Sequence, residues 1–239
     1  MRSFWRTMDR ALLRDIGLVC VADGVVGASF GAIAVSGGQA PWVPVAMSLL
    51  VFAGGAQFAA IGIVLAGGNP IAAAITGLVL NARHLPFGFA VADALGTRLP
   101  TRLLGAHVMI DESVAFAMAQ RDLPRRRTAY LTCGLMLFVV WNVGVLGGVL
   151  AGRLIGNPNA LGLDAAAPVV LLALVLPSLR DAGTLRAALV GGTVALAATP
   201  FLPAGVPVAL ALLGLLAAGP PAEQRSDDHP ARRRAVRRS

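Results

Sequence analysis

A handful of polar side chains stand inside segments that are otherwise suited to lipid. Asn81, Arg83 and His84 lie together in NARHLPFG, followed by Pro86 and Gly88. His107, Asp111 and Glu112 lie in HVMIDESVAF. Asp23, Gln57 and Asn142 each interrupt an apolar stretch. Guanidinium groups bind carboxylates, carboxylates bind ammonium groups, and imidazole and carboxyl groups carry protons. A charge at mid-membrane costs about 2.5–3.5 kcal/mol on insertion scales, so such groups face a bundle interior, paired or in use.

Each group has a working reading and a plainer one. Pro86 removes a backbone donor and disfavours helix just before it, which predicts a break at His84-Leu85. Broken helices with polar groups at membrane depth form solute sites in transporters. The plainer reading is a helix end with Arg83 reaching to the surface. On a continuous helix His107 and Asp111, four apart, share a face, and Glu112 points about 100° away. One carboxylate is expected to pair with Arg83, leaving the other for a solute ammonium or a proton. The alternative is a purely structural ion pair. Gln57 in FAGGAQFAA and Asn142 beside Trp141 either bridge helices or line a pathway. Asp23 is a candidate proton or cation site, or a partner for Arg14 or Arg83.

Enzyme and cofactor signals are weak. His107 and Asp111 are too few ligands for a closed metal site. The phosphate-binding patterns G-x-x-x-x-G-K-[ST] and G-x-G-x-x-G are absent from the chain. Gly27, Ser29 and Gly31 spell G-x-S-x-G, but in an apolar helix without the strand and partners that a nucleophile elbow needs. No enzyme, metal or cofactor is expected.

The positioning elements follow from composition. The 239 residues are 56% hydrophobic and only 13% charged, with mean hydropathy +0.74. Soluble domains carry about 25% charged residues. Apolar segments run over roughly 16–35, 45–66, 70–91, 103–120, 128–151, 165–178, 186–200 and 204–219. At about 20 residues per crossing, the expected fold is an all-α polytopic membrane bundle of about eight spans, with seven as the alternative and a re-entrant segment near 81–91 or 105–115 left open. Residues 1–219 would form one transmembrane domain and 220–239 a disordered basic tail resting on anionic lipid.

Arginine placement orients the layout. The net charge is +8 and the pI near 11.4. The arginines sit at the N-terminus, in short loops and in the tail, a membrane-flank pattern rather than a nucleic-acid surface. Eight spans put both termini in the cytoplasm of a cell-membrane protein. Arg98, Arg102 and Arg153 are exceptions that land outside. The start lacks a clean cleavable signal, because Asp23 interrupts its apolar run. Cys20 and Cys133 lie in apolar segments and read as small buried residues. Gly27/Gly31 and Gly144/Gly148 form GxxxG pairs, which allow close helix approach.

These residues resemble the AzlC family. The resemblance is carried by GASFGAIAVSGGQAPWVPVAMSLLVFAGGAQFAAIGIVLAGGNPIAAAITGLVLNARHLPFG, by DESVAFA and WNVGVLGG, and by ALGLDAAAPVVLLALVLPSLRD, over roughly residues 15–215. It implies the large subunit of an ion-gradient-driven branched-chain amino-acid exporter, with a small membrane partner of the AzlD type. Gln57, Asn81, Arg83, His84, Asp111 and Glu112 fall in the family's recurrent motifs. Asp23-Gly24 departs from a Pro-Phe-Gly-like stretch there, which leaves the solute open. Secondary export of a small amphiphilic amino acid, by proton antiport with His84, Asp111 or Glu112 titrating, is the expected function. A membrane scaffold or accessory protein, an intramembrane enzyme and export of another solute are the alternatives. Pairing with a further copy of the chain also stays open.

Overall fold

The computed structural model describes residues 9–154, 176, 178–202 and 206–217. Every element among them is helical. Among the described residues two helices are long and apolar enough to cross a membrane: α1, Arg10–Ser36, and α8, Leu123–Leu154. They extend about 40 and 48 Å at 1.5 Å per residue. Asp9 caps α1 by accepting from the Ala11 N–H at 3.4 Å.

Small residues join α1 and α8. Gly24 and Ala28 meet Gly144, Ala28 also meets Gly148, and Ala32 meets Gly152. Ascending numbers on one helix match ascending numbers on the other, so the two helices run parallel. A Cβ on Gly148 would overlap the Ala28 carbonyl oxygen. Gly144 and Gly148 thus pack on Gly24 and Ala28, and Gly27 and Gly31 on Trp141 and Val145, so each GxxxG motif lets the opposite helix approach where larger side chains would hold it apart. The main apolar core lies along this seam, with Phe30, Phe58, Leu137 and Trp141 among its members. Arg10 and Arg14 of α1 thus share one end of the bundle with Arg125–Arg127 of α8, the arginine-rich end.

Between these helices the chain makes two hairpins from opposite ends. α2, Trp42–Leu50, descends from the far end. Ser48 Oγ donates to Asn142 Oδ1 at 2.8 Å, and the Phe52 and Phe138 rings lie 5.2 Å apart. α3, Gly54–Leu65, climbs back. Gly54 abuts Trp141, Phe58 meets Phe30, and Leu65 meets Gly37 at the far end. α4, Pro70–Asn81, and α5, His84–Ala90, form one interrupted helix that runs the whole way down. It starts with Asn69 accepting from the Ile71 N–H at 2.7 Å and Pro70 in its first turn, where no N–H is needed. It finishes where Arg126 donates to the Ala90 carbonyl at 3.1 Å.

α6, Leu99–His107, and α7, Asp111–Met118, make the second hairpin. Gly96 lies against Arg127, Tyr130 Oη donates to the Gly105 carbonyl at 2.7 Å, and Gly134 abuts Val108 deep in the bundle. Met118 then returns to Arg126. α1 with α2–α3, and α4–α5 with α6–α7, are each a helix followed by a hairpin, laid in opposite directions. Transporter folds commonly use such inverted repeats.

This corrects part of the eight-span reading. Segments 16–35 and 128–151 are the long helices, but 45–66 and 103–120 are hairpins that enter and leave at one end. Hydropathy counts apolar residues and does not register direction, so two short apolar arms look like one crossing. The break in 70–91 falls at Ala82-Arg83, with Pro86 inside the first turn of α5. The second hairpin's tip, 108–110, falls within the re-entrant stretch 105–115. Arg98 and Arg102 now join the arginine-rich end, which removes two of the three charge exceptions.

Segment 186–200 is α9, Ala182–Ala198. Its cap is Asp181, which accepts from the Thr184 N–H at 2.7 Å. The Thr184 backbone and hydroxyl bonds hold that exposed carboxyl below the usual carboxylate range. Segment 204–219 contains α10, Val206–Leu210, and a 3-10 turn, Ala211–Ala217. Most of 165–178 and the tail 220–239 lie outside the described residues.

Candidate functional site

The chain breaks in the three middle segments meet at one depth, beside Leu137 and Trp141 of α8. Each is held open by specific bonds. Gln57, fully buried, donates from Nε2 to the carbonyls of Met47 at 3.0 Å and Val51 at 2.9 Å. It thus adds a second donor to two carbonyls that already accept the Val51 and Ala53 N–H groups, and so pins the turn that follows α2. In the second hairpin Ser113 Oγ accepts from the Ile110 N–H at 3.0 Å. The same hydroxyl has the Ile110 and Val108 carbonyls within 3.0 and 3.2 Å as acceptors. His84 Nδ1 lies 2.9 Å from the Asn81 carbonyl, which can only accept, so that bond puts a proton on Nδ1.

Around the meeting point is a cavity of about 560 Å³, lined in part by Asp23, Phe52, Gly55, Arg83, Asp111 and Glu112. Small-molecule sites occupy about 300–1,000 Å³. Arg83 Nη1 and Asp111 Oδ2 lie 3.0 Å apart, with side chains 43% and 45% exposed. An ion pair that accessible contributes about 0–1 kcal/mol, so opening it costs little. Gly54 and Gly55 bring the first turn of α3 to the cavity without side chains in the way. The first N–H groups of a helix lack partners within it and favour negative charge. An Arg83 Nη2 lies 3.9 Å from where a Gly55 Cβ would stand, so guanidinium and helix start form one anion-attracting locus. Asp23 and Glu112 have no ion pair among the described residues within 4.0 Å.

Of the residues singled out in the sequence, Asp23, Arg83, Asp111 and Glu112 come together here. Asn81 and His84 line a neighbouring, smaller cavity. Gln57 braces the first hairpin instead of lining either space. Asn142 accepts from Ser48 and donates to the Phe138 carbonyl at 2.8 Å, bridging α2 and α8. The shared face expected for His107 and Asp111 does not exist, because α6 ends and α7 begins between them. His107 packs on Phe138 at 5.4 Å instead. Asp111 and Glu112, expected to diverge along a straight helix, both line the cavity from the first turn of α7. Asp23 pairs with neither Arg14 nor Arg83.

Sequence reasoning passed over Phe52, Ser113 and Trp141. Trp141 is 5% exposed, lines the cavity and packs against Gly27 and Gly54. Those two glycines are the one trace of it in the sequence. No group of three or more metal-ligating side chains occurs among the described residues.

The sequence pattern described as AzlC protein matches residues 19–155, more than half of the chain. An uncharacterized membrane protein of Archaeoglobus fulgidus is 32% identical over 173 residues, covering 71% of this chain and 74% of that one. No solved structure matches. The family match takes in the helices and breaks that build the cavity and stops short of the late motif at 160–181. Its family is associated with membrane transport rather than catalysis. The chain belongs to the AzlC family and is a membrane protein with a transport-related role.

Proposed function

We propose that the chain is the solute-binding subunit of a secondary exporter for small zwitterionic amino acids with aliphatic side chains, the branched-chain class. The observation that carries this is the Arg83–Asp111 pair, half exposed inside a cavity where two opposed hairpins meet. A zwitterion needs a cation for its carboxylate and an anion for its ammonium. It can enter between Arg83 and Asp111, replacing one ion pair with two. The carboxylate then rests on Arg83 and the start of α3, as at the half-helix N-termini of other transporters. Val26, Phe58 and Leu137 supply apolar wall for the side chain.

The membrane arrangement that fits best sets the arginine-rich end in the cytoplasm. In it α1, the α4–α5 pair and α8 cross, while α2–α3 enters from outside and α6–α7 from the cytoplasm. The hairpin tips replace a continuous barrier, and the inverted halves supply two related states that expose the cavity in turn. In the proposed coupling Glu112 carries the proton. It lines the cavity beside the pair and has no ionic partner of its own. Asp23 is the second acid of the same wall. Family resemblance supplies the remaining part of the proposal, a small AzlD-type membrane subunit.

The test is uptake of labelled leucine into everted vesicles from cells expressing the full chain with its small partner, under an imposed pH gradient. Gradient-dependent accumulation is expected. Its absence for leucine, isoleucine, valine and methionine alike contradicts the reading.

A further inference from the structure

A second cavity, about 270 Å³, backs onto the first. Phe52 and Ala53 line both. At the other two breaks, neighbouring residues face opposite ways. Arg83 lines the large space and His84 the small one; Ile110 lines the large space and Met109 the small one. The partition is therefore one residue thick and consists of the chain breaks themselves. Phe52 fills its middle, 7% exposed, with its ring edge-on to Phe138. Partitions made of helix ends and one aromatic ring can open by rotation of that ring, without unzipping a helix.

The small cavity has chemistry of its own. Asn81 Oδ1 is buried and has no hydrogen-bond donor. Buried acceptors left bare are costly, about as costly as a lost hydrogen bond. Leu50, Val51 and Met109 supply apolar wall next to it. Ala106 and His107, both exposed, mark the mouth. We infer that the small cavity is a second station for the same amphiphilic solute, with Asn81 Oδ1 receiving the ammonium, and that Phe52 is the gate between the stations. This rests on the transport reading, but the division of the space by Phe52 can be tested without flux.

The experiment uses the full chain in oriented membrane vesicles, with Gly55→Cys reporting the large cavity and Ala106→Cys the small one. A Cβ at Gly55 meets only an Arg83 nitrogen, at 3.9 Å, so the thiol fits. Cys20 and Cys133 are buried, so the parent protein gives the background. A membrane-impermeant cationic methanethiosulfonate is added from the side on which Ala106→Cys reacts. With Phe52 intact, Gly55→Cys should react at least tenfold more slowly from that side than Ala106→Cys. Phe52→Ala should raise the Gly55→Cys rate at least tenfold, and Phe52→Leu, the milder change, should raise it partway. Leucine should protect both thiols.

Gly55→Cys reacting as fast with Phe52 intact, or unchanged in both Phe52 variants, overturns the gate. Leucine protecting Gly55→Cys but not Ala106→Cys overturns the second station. Retention of the Phe52 effect without leucine flux in the parent would sink the transport reading and leave the gate standing.

Discussion

The Arg83 guanidinium and the Asp111 carboxylate meet at 3.0 Å across two different kinds of chain break, one within a crossing helix and one at a hairpin tip. Neither break alone makes a site. Each supplies one pole of a dipole that matches a zwitterion, and the accessible pair is weak enough for a solute to part.

Arg83→Gln should weaken leucine binding, since a charge-assisted hydrogen bond contributes about 1.5–3 kcal/mol, or roughly ten- to a hundredfold in affinity. Asp111→Asn should weaken it to a similar degree. The charge swap Arg83→Asp with Asp111→Arg restores an ion pair but not the alignment with the start of α3. It should fold and remain inactive. Scintillation-proximity binding on purified protein checks all three.

Glu112→Gln should separate exchange from coupling. Leucine counterflow should persist, because the Arg83–Asp111 pair is intact, while accumulation driven by a pH gradient is lost. Counterflow and pH-jump uptake measured on the same vesicles distinguish these outcomes. Gradient-driven uptake equal to the parent would remove Glu112 as the proton carrier.

Gly148→Ala places a methyl group into the Ala28 carbonyl. Overpacking of this kind costs about 1–3 kcal/mol. The melting temperature in detergent should drop by several degrees. Gly147→Ala, one residue along the same helix with nothing within 4 Å of its new Cβ, should leave it unchanged.

The hairpin topology makes a labelling prediction opposite to that of eight straight spans. A cysteine at Gly68 should react from the side opposite Arg121, and one at Thr101 from the same side as Arg121. Eight straight spans require the reverse for both. Sided maleimide labelling in intact and everted vesicles decides between them.

How much of this was legible in the sequence depended on the kind of signal. α1 and α8 follow from unbroken apolar length, and their contact from glycines spaced by four. The closeness of Arg83 to a carboxylate followed from the cost of burying a lone charge. The hairpins did not follow, because hydropathy cannot separate a crossing from two short arms that turn back. The misplaced Arg98 and Arg102 were the trace of that error. Gln57 and Asn142 were ambiguous since an amide that braces a bend and one that lines a path look alike before the bend is known. Trp141 went unnoticed because aromatic residues in apolar helices are ordinary.

The most direct measurement is leucine protection of Gly55→Cys against alkylation, in membranes carrying the full chain and the proposed small subunit. The account predicts concentration-dependent protection with Arg83 and Asp111 intact, shifted to roughly ten- to a hundredfold higher leucine in Arg83→Gln or Asp111→Asn. Leucine carried by the parent with no protection of this thiol, or protection unchanged in both variants, would mean that the solute binds elsewhere.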